Sequence, residues 1–230
     1  MEKEISSKGI GEAIGTLIAK LCYKAADELG ADLAERTGDW RRQNALKILS
    51  KANQKYEQIS SSGNESAPPR LVHHIIEEGS WNDQEHVQNM WAGLLASACT
   101  DSGQDESNLI FINILKQLTC LEVTVLNHVC EKCRKGISSA GWLYAHHFEM
   151  ELNDLIKLTK VDDIHRLDRE LDHLRELGLI SNGFNPRSTS ALVTPSSLAL
   201  QMYVRCQGFR GSPVECFGLD TPTSRKEDSM

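Results

Sequence analysis

Residues Trp81-Asn-Asp-Gln-Glu-His-Val-Gln-Asn-Met-Trp-Ala-Gly-Leu-Leu-Ala-Ser-Ala98 decide the fold. Val87, Trp91, Leu94, Leu95 and Ala98 recur at spacings of three and four, which puts them on one face of a helix. Asn82 or Asp83 is a candidate cap, and Asp83 and Glu85 suit the positive end of the helix dipole. Working outward, Leu71 to Glu78 predicts a short helix stopped by Gly79, and Asp101-Ser-Gly103 closes the central one. Ser107 opens a segment, Leu109 to Leu118, that is apolar almost all round and is expected at the centre of the module. Thr119-Cys-Leu-Glu122 has capping-box spacing and predicts a further helix ending near Lys135-Gly136.

The Trp-Ala-x-Leu-Leu-Ala pattern at 91–96, followed by Ile112-Asn-Ile-Leu-Lys-Gln-Leu118, resembles the bacterial abortive infection alpha (Abi-alpha) family. The resemblance covers about a quarter of the chain and implies a setting, antiviral defence, rather than a chemistry.

The 230 residues, 40% hydrophobic and only 6% aromatic, predict a mainly α protein whose helices pack through Leu, Ile, Val and Ala. Residues 10 to 35 carry an apolar face of Ile10, Ile14, Leu17, Ile18, Leu21, Leu29 and Leu33. Beside it runs a row of small residues, Gly11, Gly15 and Ala19, which suits close approach by another helix and makes this row a candidate interface for self-association. A helix over Asp39 to Ile59 is expected to turn Trp40, Ile48, Leu49, Ala52, Tyr56 and Ile59 inward, with Lys47, Lys51 and Lys55 aligned outside. Ser60 to Pro69 reads as a linker.

The last third changes character. Leu152, Leu155 and Ile156 suggest one helix, and Ile164, Leu167, Leu171, Leu174 and Leu177 a second, capped by Asp162 or Asp163 and stopped by Gly178. Leu179-Ile180 and Ala191 to Thr194 flank a turn-rich stretch and predict one β-hairpin, and Thr194-Pro195 precedes a helix over Leu198 to Cys206. Helix, helix, hairpin resembles a winged helix. The expected organisation is therefore an N-terminal helical segment (1–66), a central helical module (67–140), a winged-helix-like module (141–208) and a flexible tail (209–230).

Charge limits the partners. Residues 61 to 126 hold 2 basic against 9 acidic residues, so this module repels a nucleic-acid backbone. The third helix of a winged helix commonly enters DNA, yet Asp162, Asp163, Asp168, Glu170, Asp172 and Glu176 outnumber Arg166, Arg169 and Arg175 there. Residual nucleic-acid contact falls to Lys47, Lys51 and Lys55.

Metal and catalytic readings are weak. Cys130 and Cys133 have thiolate-pair spacing, with His128, His146 and His147 nearby, but both cysteines fall on the apolar side of their helix. His73 and His74 each precede a glutamate by four residues, and Asp83 to His86 and Glu170 to His173 have acid-x-x-His spacing without partners on other helices. No phosphate loop, dinucleotide fingerprint or nucleophile elbow occurs, so no cofactor is expected and enzymatic activity is unsupported. The seven cysteines read as buried small residues rather than disulfides. Met1-Glu-Lys-Glu4 lacks a basic leader and no apolar run has membrane-span length, which points to the cytoplasm.

Trp91, in register with Leu94 and Leu95, is expected in the core; Trp81 is either a staple on its helix or a surface anchor for a partner. The functional expectation, resting on the family resemblance, is a non-enzymatic defence protein acting through protein contacts. The alternatives are a winged-helix regulator on DNA, and a membrane-perturbing effector using the Ile10 to Leu33 helix.

Overall fold

The computed structural model describes residues 7–22, 27–31, 38–59, 65–185 and 187–219. Leu33, the linker residues 60–64 and the end of the tail, 220–230, lie outside the described residues. The chain divides into two units, residues 1–123 with 202–210, and residues 124–201 with 211–230.

The first unit contains α1 (Ser7–Leu21), α2 (Asp39–Ile59), α3 (Pro69–Gly79), α4 (Glu85–Ala98), α5 (Leu109–Leu115) and the start of α6 (Cys120–Lys132). Ile10, Ile14, Ile18 and Leu21 of α1 are buried, and α1 packs on α2 through Ala45, Ile48, Leu49 and Ala52. Helix α4 is the centre. It packs against α2, α3 and α5, and from Met90 to Ala98 every side chain is buried. The sequence pattern points to the segment after Ser107 for that role. Instead α5 is a short helix that buries Phe111, Ile112, Ile114 and Leu115 and leaves Ile110 exposed. Ile110 and Asn113 leave one side of α5 to solvent, whereas the small residues Ala92, Gly93, Ala96 and Ser97 give α4 the narrow profile that allows neighbours all round.

The start of α6 has the anticipated reciprocal cap. The Thr119 N–H donates to Glu122 Oε2 at 2.7 Å, and the Glu122 N–H donates to Thr119 Oγ1 at 3.2 Å. Trp40 departs from its expected place and is exposed, because the surface that α2 buries, Asn44, Ala45, Ile48, Leu49, Ala52 and Tyr56, begins one turn after residue 40.

The second unit holds most of α6, β1 (Lys135–Ile137), β2 (Leu143–Ala145), β3 (Glu149–Glu151), α7 (Leu152–Thr159), α8 (Ile164–Glu176), β4 (Ser190–Leu192), the first half of α9 (Ser197–Cys206) and α10 (Pro213–Cys216). Helix α6 ends at Lys132, and Lys135-Gly136 starts a strand instead of closing the helix; β1 and β2 form a hairpin that the sequence reading did not contain. The anticipated hairpin around 179–194 is present as bridges between Ile180 and Pro195 and between Phe184 and Ala191. Its second arm, β4, also pairs with β3, so the strands make two small sheets instead of one.

Helix α8 follows its predicted signals. Asp163 Oδ1 accepts from the N–H groups of His165 and Arg166 at 3.0 and 3.1 Å, Leu167, Leu171 and Leu174 are buried, and Gly178 takes the left-handed conformation with φ of 70°. Ile164, the first member of the repeat, is exposed. Residues 212–216 form a capped turn of helix inside what was expected to be tail. The protein is mainly helical, and no helix among the described residues is long and apolar enough to cross a membrane.

Two glycines test the packing. A Cβ on Gly93 would overlap the backbone carbonyl of Cys206, whereas one on Gly15 meets no atom of the described residues within 4 Å. Gly93→Ala is expected to destabilise by about 3 kcal/mol or more, beyond ordinary overpacking because backbone must move. Gly15→Ala is expected to stabilise by up to about 1 kcal/mol through helix propensity. Urea midpoints of the first unit's unfolding check both signs.

Candidate functional site

The segment joining α3 to α4 is tied down by a polar network in the first unit. Asn44 Nδ2 of α2 donates to the Ser80 carbonyl at 3.1 Å, and Gln88 Nε2 of α4 donates to the Asn82 carbonyl at 2.9 Å and reaches Asn44 Oδ1 at 3.4 Å. Asn44, Ser80 and Gln88 are all buried, so these bonds satisfy groups that would otherwise be stranded away from water. Asn82 and Asp83 do not cap α4; its N-cap is Gln84, and the Asn82 carbonyl is held by Gln88.

Between the two anchored residues stands Trp81, 60% exposed. Arg41 fixes its ring. The guanidinium lies 4.2 Å from the ring centroid, its Nε donates to Ser80 Oγ at 3.0 Å, and Nη2 donates to the Glu77 carbonyl at 3.0 Å and pairs with Glu77 Oε2 at 3.1 Å. Of the two places open to Trp81, the structure gives it the surface. One ring face is covered by a cation and the rest is presented to solvent on a backbone with little freedom, an arrangement suited to contact and not to bond chemistry.

The other candidate residues do not assemble a site. Lys47 is exposed, but Lys51 reaches Glu85 at 3.4 Å, and Lys55 Nζ donates to the Gln207 carbonyl at 3.2 Å with its pKa lowered chiefly by burial. The row is therefore a weaker cationic stripe than its sequence spacing suggested. Gly15 faces the helical turn at 27–31, where a Cβ on Gly30 would lie 3.8 Å from its Cα, and Ala19 is exposed. The surroundings of Gly11 lie outside the described residues. Cys130 and Cys133 are buried, and among the described residues no group of three or more His, Cys, Asp and Glu could hold a metal ion. Arg41 was missed as a partner for Trp81 because forty residues separate them; only the meeting of α2 with the α3–α4 connection brings them together.

A family model for abortive infection alpha matches residues 41–194, from Arg41 through β4. The chain belongs to this family. The match takes in Arg41, Trp81 and the whole network between them, and leaves the Gly11, Gly15 and Ala19 row outside it. No curated protein and no solved structure matches the chain.

The cysteines divide by environment. Burial pushes the Cys99 thiol up to about 12 against a countering pull from Arg210, and burial likewise raises Cys206; Cys120 alone among the described cysteines is exposed. In native protein near pH 8, a disulfide thiol reagent is expected to modify Cys120 first, and Cys120→Ser to remove that phase while Cys99 and Cys206 react only on unfolding. The sign for stability follows from the same shift. The folded state favours the neutral Cys99 thiol, so its contribution is full below pH 9 and is lost as pH rises toward 12. Denaturation midpoints across that range measure the loss.

Proposed function

We propose that the protein is an antiviral defence protein of the abortive-infection type that acts through protein contacts, with Trp81 as the anchor of the contacting face. Family membership supports the defence setting. The presentation of Trp81 carries the rest: a large aromatic is kept exposed and rigid by Arg41, Asn44 and Gln88, although the core beside it encloses Trp91 completely. Exposed tryptophan on an ordered backbone loses little entropy on docking, which is why such residues dominate interface energetics.

We take residues 141–208 as a winged-helix-like module, with α7, α8 and the strands at 180–195 as its helix, helix and hairpin. Its role in this proposal is structural or protein-binding. Asp162, Asp163, Asp168 and Glu176 are exposed on or beside α8, and Arg175 is drawn to Asp172 at 2.7 Å, so the helix offers a phosphate backbone little net attraction.

The test is a plaque assay in a bacterial host carrying the protein and challenged with a panel of phages. Wild type is expected to reduce plating. Trp81→Ala is expected to cut that protection by about tenfold or more, as truncating an interface anchor costs about 2 kcal/mol or more. Its own fold should lose only about 1 kcal/mol with the ring–guanidinium contact. Full protection by folded Trp81→Ala would remove the anchor, and absence of protection by wild type across the panel would count against the defence reading itself.

A further inference from the structure

The β1–β2 hairpin presents a face that the defence reading does not use. Its register pairs Lys135 with Ala145, Gly136 with Tyr144 and Ile137 with Leu143, and the bond from the His146 N–H to the Arg134 carbonyl at 2.8 Å extends the ladder by one pair. At the other end, Ser138 and Trp142 face each other, with the Ser138 N–H donating to the Trp142 carbonyl at 2.9 Å and the Trp142 N–H donating to Ser138 Oγ at 3.0 Å. Paired residues share a face, and alternate pairs alternate faces. One face thus holds Ile137 and buried Leu143; the other holds Trp142, Tyr144 and His146 along one strand, with Ser138, Gly136 and Arg134 opposite.

That second face is open. Trp142 is 75% and Tyr144 is 40% exposed, and Arg134 is exposed as well. Glycine opposite Tyr144 lets the phenol ring lie down across the neighbouring strand: a Cβ at residue 136 would stand 2.7 Å from Tyr144 Cζ and Oη. The Tyr144 and His146 rings are 5.1 Å apart and tilted by 58°. Trp142 and Tyr144 are two residues apart on one strand, a rise of about 7 Å, so successive flat rings laid over this face can reach one after the other.

The charge on this segment has one sign. From Lys132 to Phe148 the chain carries Lys132, Arg134 and Lys135 and no Asp or Glu, in a protein whose net charge is −7. Lys132 reaches Glu131 at 2.7 Å, and Lys135 donates to the Glu131 carbonyl and lies over the Phe217 ring, which leaves Arg134 as the cation on the aromatic face itself. A membrane-inserting hairpin would carry several apolar groups at the tip, but this turn is Ser138-Ser-Ala-Gly141 with Trp142 as the one large apolar residue beside it, and Tyr144 lies farther along the strand.

We infer that the outward face of this hairpin binds single-stranded nucleic acid, with bases stacked on Trp142 and Tyr144 and the backbone phosphate near Arg134. Stacking accepts any base, so the site tolerates sequence and rejects duplex, whose bases are already stacked on each other. The site belongs to the second unit and shares no residue with the Trp81 network of the first, and it does not depend on the defence reading.

Fluorescence anisotropy of the full chain with labelled oligo(dT) and oligo(U) of about 12 nucleotides, in about 0.1 M salt, tests this. Single strands are expected to bind more tightly than a duplex of the same length. Trp142→Ala is expected to weaken binding about tenfold or more, Trp142→Phe to restore most of it, and Trp81→Ala to change nothing. Arg134→Ala should lower the salt dependence by close to one ion. No binding at tens of micromolar protein, a preference for duplex, or equal affinity in folded Trp142→Ala overturns the inference. So does capture by phosphatidylglycerol vesicles that requires Trp142 without any binding of oligonucleotide, which would assign the face to a lipid surface.

Discussion

The close approach of two backbones at Gly93 is the constraint on which the first unit rests. Helix α4 can be surrounded on all sides only if its side chains leave room, and at residue 93 the Cys206 carbonyl occupies the space where any other residue would place its Cβ. The same narrowness explains why Ala92, Ala96 and Ser97 occupy neighbouring turns and why the bulk comes from Trp91, Leu94 and Leu95. A helix so enclosed fixes the position of everything that touches it, including the segment just before its first turn.

That segment shows how burial becomes a surface feature. Burying Gln88 and Asn44 obliges each to find partners, and the available acceptors are the Ser80 and Asn82 carbonyls on either side of Trp81. The cost of an unsatisfied amide in the interior is thereby converted into a fixed backbone at the surface. Arg41 adds a second restraint from α2, so the orientation of one exposed ring depends on packing within the core. Removing Gln88 or Asn44 would loosen Trp81 without touching it.

Legibility in the sequence followed the range of the forces. Local devices were readable: the Thr119–Glu122 box, the Asp163 cap, Gly178 after α8, and the face of Trp91, Leu94 and Leu95 each depend on neighbours within one or two turns. Non-local ones were not. Arg41 against Trp81, Arg210 donating to the carbonyls of Cys99 and Ile59 at 2.6 and 3.0 Å, and β3 against β4 join positions dozens of residues apart, and spacing within a helix says nothing about them. The β1–β2 hairpin was missed for a different reason. Its strands have three residues each, too short for a two-residue alternation to stand out, and the preceding helical pattern ran into them. Trp40 was misplaced because a first-turn residue can satisfy a helical spacing while lying beyond the end of the surface that the helix buries.

The exposed aromatics separate into two physical kinds, and the difference bears on what each can bind. Trp81 has a guanidinium on one face, so its free surface is one ring side and an edge, suited to a pocket on a folded partner. Trp142 and Tyr144 lie on a strand face opposite serine and glycine, where the small partners let the Tyr144 ring lie across the sheet as a shelf, and no cation among the described residues is stacked on either ring. A pocketed partner would have to supply walls for that shelf. A flat ligand needs none, and flat rings joined by an anionic backbone suit both the open aromatic face and the Arg134 guanidinium on it.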